Sequence, residues 1–110
     1  MTERPLQEAT FLILTALAAG PQHGYGIMTD VAEISDGGVK LRAGTLYAAL
    51  DRLSEAGLAE VDREEIVDGR LRRYYRLTPA GSQKLAAEAA RIGRNSAVAV
   101  NRLKLAGGNA

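Results

Sequence analysis

Apolar side chains recur along the chain at a helical period, then at a strand period, then at a helical period again. Between Leu6 and Ala19 no Gly or Pro intervenes, and Leu6, Thr10, Ile13, Leu14 and Leu17 trace one helical stripe. Gly20-Pro21 ends that helix. Tyr25 to Ile34 repeats the pattern through Ile27, Val31 and Ile34, and Gly37-Gly38 closes it. A short extended piece, Val39-Lys40-Leu41, leads to Gly44. A third helix over Ala43–Ala56 then sets Leu46, Ala49, Leu50 and Leu53 within about 100° of one another on a 3.6-residue wheel. Gly57 is its natural stop.

Two β-prone runs follow, about Leu58–Val67 and Leu71–Thr78, joined by Asp68-Gly69. Asp-Gly between such runs predicts a hairpin, because a type I′ turn needs φ > 0 at both central residues. Thr78-Pro79 opens a last helix, with Thr as cap and Pro at the first helical position. Along it Leu85, Ala89, Ile92, Ser96, Ala99 and Leu103 step by alternating fours and threes, a short coiled-coil-like seam. The predicted fold is mainly α with a small β-hairpin: a winged helix-turn-helix over residues 1–80, one C-terminal helix over 81–106, and a flexible tail over 107–110. No internal repeat or low-complexity linker divides the chain.

Charge changes this picture only when it is mapped. Across 110 residues, fourteen basic side chains oppose thirteen acidic ones, for a net charge of +1, without the basic excess typical of nucleic-acid binders. Residues 1–80 hold nine basic and twelve acidic side chains, whereas residues 81–110 hold five and one. Between Gly69 and Thr78, Arg70, Arg72, Arg73 and Arg76 stand with no acid at all, interleaved with Tyr74 and Tyr75. The near-neutral total therefore hides a cationic wing and a cationic last helix. It predicts modest non-specific affinity, with specificity left to the third helix.

Composition excludes other chemistry. With no Cys there is no disulfide framework and no thiolate ligand, and with His23 alone no multi-histidine metal cluster or Ser-His-Asp set is expected. No cofactor is implied. No apolar run approaches the ~20 residues that span a bilayer, and residues 1–5 lack a signal-peptide layout, so a cytoplasmic location is expected. A domain this small gains from a partner subunit.

The candidate contacts lie on the third helix and the wing. Tyr47 sits about 100° off the apolar centre, where a tyrosine either packs on a neighbouring helix or reaches a phosphate or base edge. Gly44 and Ala48 beside it are small enough for close approach to a major groove. Lys40 and Arg42 precede the helix as solvated cations or phosphate ligands, and Thr45 touches DNA or satisfies a helix N–H. Along the wing, alternation groups Arg72 with Tyr74 and Arg73 with Tyr75; Tyr75 and Leu77 are expected to face the core. Pairing with Asp62, Glu64, Glu65 and Asp68 accounts for about half of the arginines, and the hairpin tip offers the rest to phosphate. His23, in the turn after the first helix, is expected to be a polar cap.

Three stretches carry a resemblance. His23-Gly24-Tyr25-Gly26-Ile27, Gly44-Thr45-Leu46-Tyr47 with Leu50–Leu58, and Arg72–Gly81 occur in an order that resembles the PadR family of bacterial transcriptional regulators, from about Leu6 to Leu103. The resemblance implies a homodimeric repressor with a DNA-binding winged helix and a C-terminal dimerisation helix. It further implies binding to double-stranded DNA at an inverted-repeat operator, with release on sensing a small-molecule effector. Lys40, Arg42, Thr45, Tyr47, Ala48, Arg70, Arg72 and Arg73 are the DNA-contact candidates. Leu85, Ala89, Ile92, Ala99 and Leu103 are the dimer candidates. Two positions depart from the family pattern, which commonly has Ser at the place of Arg42 and Pro at the place of Ala48. Without Trp, and with no aromatic in the last helix, the chain has no residue for the stacking of a flat effector on a dimer-interface tryptophan that the resemblance to drug-binding relatives suggests. The competing reading is a winged helix used for protein contact, with Asp62, Glu64 and Glu65 as its surface. An enzyme ranks third, since no nucleophile–base pair is visible.

Overall fold

The chain breaks where its glycines and prolines predict. Helix α1 (Glu8–Ala18) stops before Gly20-Pro21, and β1 (Gln22–His23), α2 (Gly24–Ile34), α3 (Ala43–Glu55), β2 (Ala59–Val67), β3 (Arg70–Leu77) and α4 (Pro79–Ala106) follow. This computed structural model describes residues 4–107, so the expected tail lies outside the described residues except for Gly107. Gly107 caps α4 by donating its N–H to the Leu103 carbonyl at 2.9 Å.

The first three helices meet on their apolar stripes. Ile13, Leu14, Ile27, Val31, Leu46 and Leu50 are fully buried, and Ala49, Leu53, Ala59 and Tyr75 close the cluster. Each fully buried Leu or Ile contributes about 1.5–3 kcal/mol of transfer free energy. In α1 the buried set also takes in Leu12 and Ala16, wider than the stripe predicts, because α1 is covered by α2, α4 and β3 together. Val39 and Leu41 pack partly onto the core without joining the sheet. The Ser35 hydroxyl holds that connection, donating to the Val31 carbonyl at 2.8 Å and accepting from the Val39 N–H at 2.9 Å.

The sheet has three strands in the order β1-β3-β2, one more than the hydrophobic pattern shows. Gln22 and His23 pair antiparallel with Tyr75 and Tyr74; two residues are too few to leave a period, so only tertiary pairing reveals the strand. Strands β2 and β3 form the wing. Asp68 (φ 51°) and Gly69 (φ 76°) give the type I′ turn that the Asp-Gly pair predicts. A bulge at Asp62 separates the Val61–Tyr75 pair from the Arg63–Tyr74 pair, adding one residue to β2.

Helix α4 starts as its sequence directs. Thr78 accepts the Gly81 N–H at 3.0 Å and donates its hydroxyl to the Gly57 carbonyl at 2.6 Å, and Pro79 stands at the first helical position. The Leu6 N–H donates to the Glu88 carboxylate at 2.9 Å, and Arg91 donates to the same oxygen at 3.0 Å. Those two donors hold the Glu88 carboxyl below the usual carboxylate range, Arg91 being the stronger. Beyond Arg91 every described residue is exposed. The architecture is a winged helix-turn-helix with a long C-terminal helix.

Candidate nucleic-acid interface

Burying Leu46, Ala49, Leu50 and Leu53 turns the opposite side of α3 to solvent. Gly44, Thr45, Tyr47, Ala48 and Asp51 are exposed there. At its start Arg42 is the N-cap but makes no side-chain capping bond, as the loss of a serine at that position predicts. The N–H groups of Ala43, Gly44 and Thr45 therefore face outward with the free N-terminal end of the helix dipole. Lys40 and Arg42 are exposed beside them. Thr45 lies inside the helix rather than at its cap, on the exposed side of α3.

Tyr47 packs on a neighbouring helix without being buried. Its side is 45% exposed, yet its ring lies on Gly24 at the first position of α2. His23, the residue before, caps α2 by accepting the Gly26 N–H on Nδ1 at 3.2 Å. Its ring also stands edge-on to Tyr74 at 5.4 Å, joining β1 to the wing. Burial, and secondarily the positive charge of Arg72, lowers the His23 pKa below the ordinary 6.5, which keeps the capping nitrogen unprotonated.

On the wing, the register decides which arginines are engaged. Arg73 donates to Glu64 at 2.8 Å, and Arg76 bridges Glu60 at 2.8 Å and Asp62 at 3.1 Å. Arg63 binds Asp62 and Glu65 at 3.1 and 2.9 Å while lying 3.9 Å over the Tyr74 ring. The Glu64 hydrogen bond raises the Arg73 pKa further above its ordinary value. Arg70 and Arg72 make no ion pair among the described residues. A polar cleft of about 570 Å³ opens between α3 and the wing, bordered by Tyr25, Tyr47, Arg70 and Arg72. Arg73 lines it too, whereas Thr45 and Ala48 on α3, and Lys40 and Arg42 just before it, lie outside it.

Tyr25, His23 and Gly24 belong to this region although the charge pattern does not mark them. A signal was available for Tyr25: it lies about 160° from Ile27 on the α2 wheel, off the apolar stripe, and is 74% exposed.

The family model described as transcriptional regulator PadR-like family matches residues 13–87. The chain belongs to that family. Relatives include transcriptional regulator Rv3488 of Mycobacterium tuberculosis, 49% identical over 48% of this chain and 49% of that protein. A transcriptional regulator from Clostridium thermocellum has 26% identity and a TM-score of 0.70, covering 84% of this chain and 89% of the other. Bacillus subtilis PadR in complex with operator DNA has 24% identity and a TM-score of 0.66, covering 74% of this chain and 46% of the other; it is a match of fold. This PadR-like chain spans about half the length of Rv3488, and 24% of a 37.1 kDa Streptomyces fradiae transposon protein that it also matches.

The PadR-like match ends within α4, where the seam residues separate into two groups. Leu85 is half-buried against its own core, while Ala89, Ile92, Ala99 and Leu103 are exposed. Val98, Val100 and Leu105 add further exposed apolar surface to the same distal turns. Among the described residues no helix is long and apolar enough to cross a membrane.

Proposed function

We propose that this PadR-like chain is a cytoplasmic, homodimeric repressor that binds double-stranded DNA at an inverted-repeat operator. Helix α3 enters the major groove with Thr45, Tyr47 and Ala48 at the base edges, and Lys40 and Arg42 meet phosphates at its start. Arg70 and Arg72 hold the flanking backbone from the wing, and Arg73 joins them by exchanging Glu64 for phosphate. The observation that carries this reading is the exposed, small-residue face of α3 flanked on both sides by cations without ion pairs among the described residues. The competing reading, a protein-contact module built on Asp62, Glu64 and Glu65, is disfavoured because all three carboxylates are engaged by arginines of the wing itself.

Dimerisation runs through Ala89, Ile92, Ala99 and Leu103, with Leu85 anchoring the seam to the body. Two-fold symmetry then sets the half-sites about 10 bp apart or a multiple of it. A small-molecule effector that loosens the helix pairing would release the operator. The apolar groove of about 680 Å³ between Leu17, Pro21, Leu77, Leu85 and Ala89 touches both the body and the seam, where such a molecule would act.

The test is a salt titration of Tyr47→Ala and the parent protein on a duplex selected from a random pool and on an unselected one. Tyr47→Ala should weaken the selected duplex by about tenfold, the loss of one good contact, and leave the unselected one nearly unchanged. Equal affinity of both proteins for the selected duplex would show that α3 is not the reading element.

A further inference from the structure

Two glycines lie near the reading face, and they are small for different reasons. A Cβ at Gly44, on α3 itself, would meet nothing within 4 Å. A Cβ at Gly24, on α2, would stand 2.8 Å from Cζ and 3.3 Å from Cε1 of Tyr47, and closer still to the phenol oxygen. The backbone at position 24 does not call for glycine. Its φ is not in the left-handed region, and as the first residue of a helix it could carry any ordinary side chain. The missing side chain is the seat of the Tyr47 ring.

We propose that Gly24 is a positioning residue for DNA binding: by leaving room for the Tyr47 ring against α2, it fixes where the phenol meets the duplex. The inference rests on α3 being the recognition helix. A half-exposed tyrosine on a helix surface otherwise samples several rotamers, and ordering it costs affinity at the moment of binding. Seated on Gly24, the ring is ordered beforehand. It also borders the cleft whose other wall carries Arg70 and Arg72, so that phenol and cations are held in one fixed relation. His23 supports the seat from the neighbouring position, since its cap on Gly26 fixes the first turn of α2.

A four-protein cycle tests this: the parent chain, Gly24→Ala, Tyr47→Ala and the double variant, each measured for affinity to a duplex selected on the parent. Gly24→Ala should weaken binding about fivefold or more in the parent background, and less than about twofold when Tyr47 is already Ala, because the two act through one contact. The free proteins give a second readout, independent of DNA: in tyrosine-labelled Gly24→Ala the Tyr47 ring resonances should shift, with the other three tyrosines little changed. If Gly24→Ala folds poorly, the double variant should recover the parent melting temperature, since it removes the ring that clashes. Equal losses in both backgrounds, unmoved Tyr47 resonances, or a double variant no more stable than Gly24→Ala would overturn the seat. Should Tyr47→Ala bind like the parent while the resonances do shift, the recognition-helix reading fails and the packing of Tyr47 on Gly24 stands.

Discussion

The two halves of α4 are one continuous helix and two different environments. From Pro79 to Arg91 it is capped by Thr78, packs on α1 through Leu85, and is tied to the N-terminal segment by Glu88. From Ile92 to Ala106 no described residue is buried, although Ile92, Val98, Val100, Leu103 and Leu105 are apolar. Propensity alone gives an isolated stretch of this length marginal stability in water. The proximal half is thus held by the fold, and the distal half has the composition of a surface meant to be covered. The family match reaches residue 87, over the body that carries α3 and the wing.

Substitutions can sharpen that contrast. The largest effect belongs to the body: Leu50→Ala empties a fully buried site and should cost about 2–5 kcal/mol in denaturant unfolding, whatever the protein concentration. Leu103→Asp, at a side chain 72% exposed, should leave the body folded. It should turn the proposed dimer into monomer in sedimentation at micromolar concentration and weaken operator binding by about 100-fold, the loss of a second linked site. A parent chain that sediments as a monomer would remove the distal half from the dimer model. In the body, pH is a finer probe. The His23 pKa is lowered on folding, so its contribution is complete above the ordinary value of 6.5 and is lost as pH falls through the lowered value. His23→Asn keeps a capping side chain without a titrating one, and should flatten the decline of thermal stability over that acid range. The smallest effect tests the junction: Gly93 has open space around it, so Gly93→Ala should stabilise the distal helix by about 0.5–1 kcal/mol, read by amide exchange in the last turns.

Local rules carried the element order. Thr78-Pro79 and Asp68-Gly69 specify a cap and a turn with residues adjacent in sequence, so no distant partner was needed to foresee them. The helix stripes likewise named most of the core. What escaped depends on partners far apart in the chain. Strand β1 exists only because β3 offers an edge to Gln22 and His23. Counting back from the Asp68-Gly69 turn sets Arg73 opposite Glu64 and Arg72 opposite Glu65, already held by Arg63, whereas the Asp62 bulge shifts the pairs beyond it and sets Arg76 opposite Glu60. Alternation along β3 did place Tyr75 in the core, but it cannot say which neighbour is charged. Tyr47 is the most instructive residue of the exposed α3 face: of its two readings, packing on a neighbouring helix holds, and it holds with the side chain still 45% exposed.

On the proposed dimer, the unbroken run of α4 from the body into the distal turns would work as gearing between the two α3 helices. Each residue of an α-helix advances it by about 1.5 Å and turns it by about 100°. Inserting a single residue after Arg91 would therefore swing the seam to a new azimuth while every contact of the body stayed intact. The pair of α3 helices would then be presented to DNA out of phase, and an operator with the original half-site separation would fit only one of them. On that proposal, the spacing of half-sites would be written in the residue count of α4, outside the exposed face of α3.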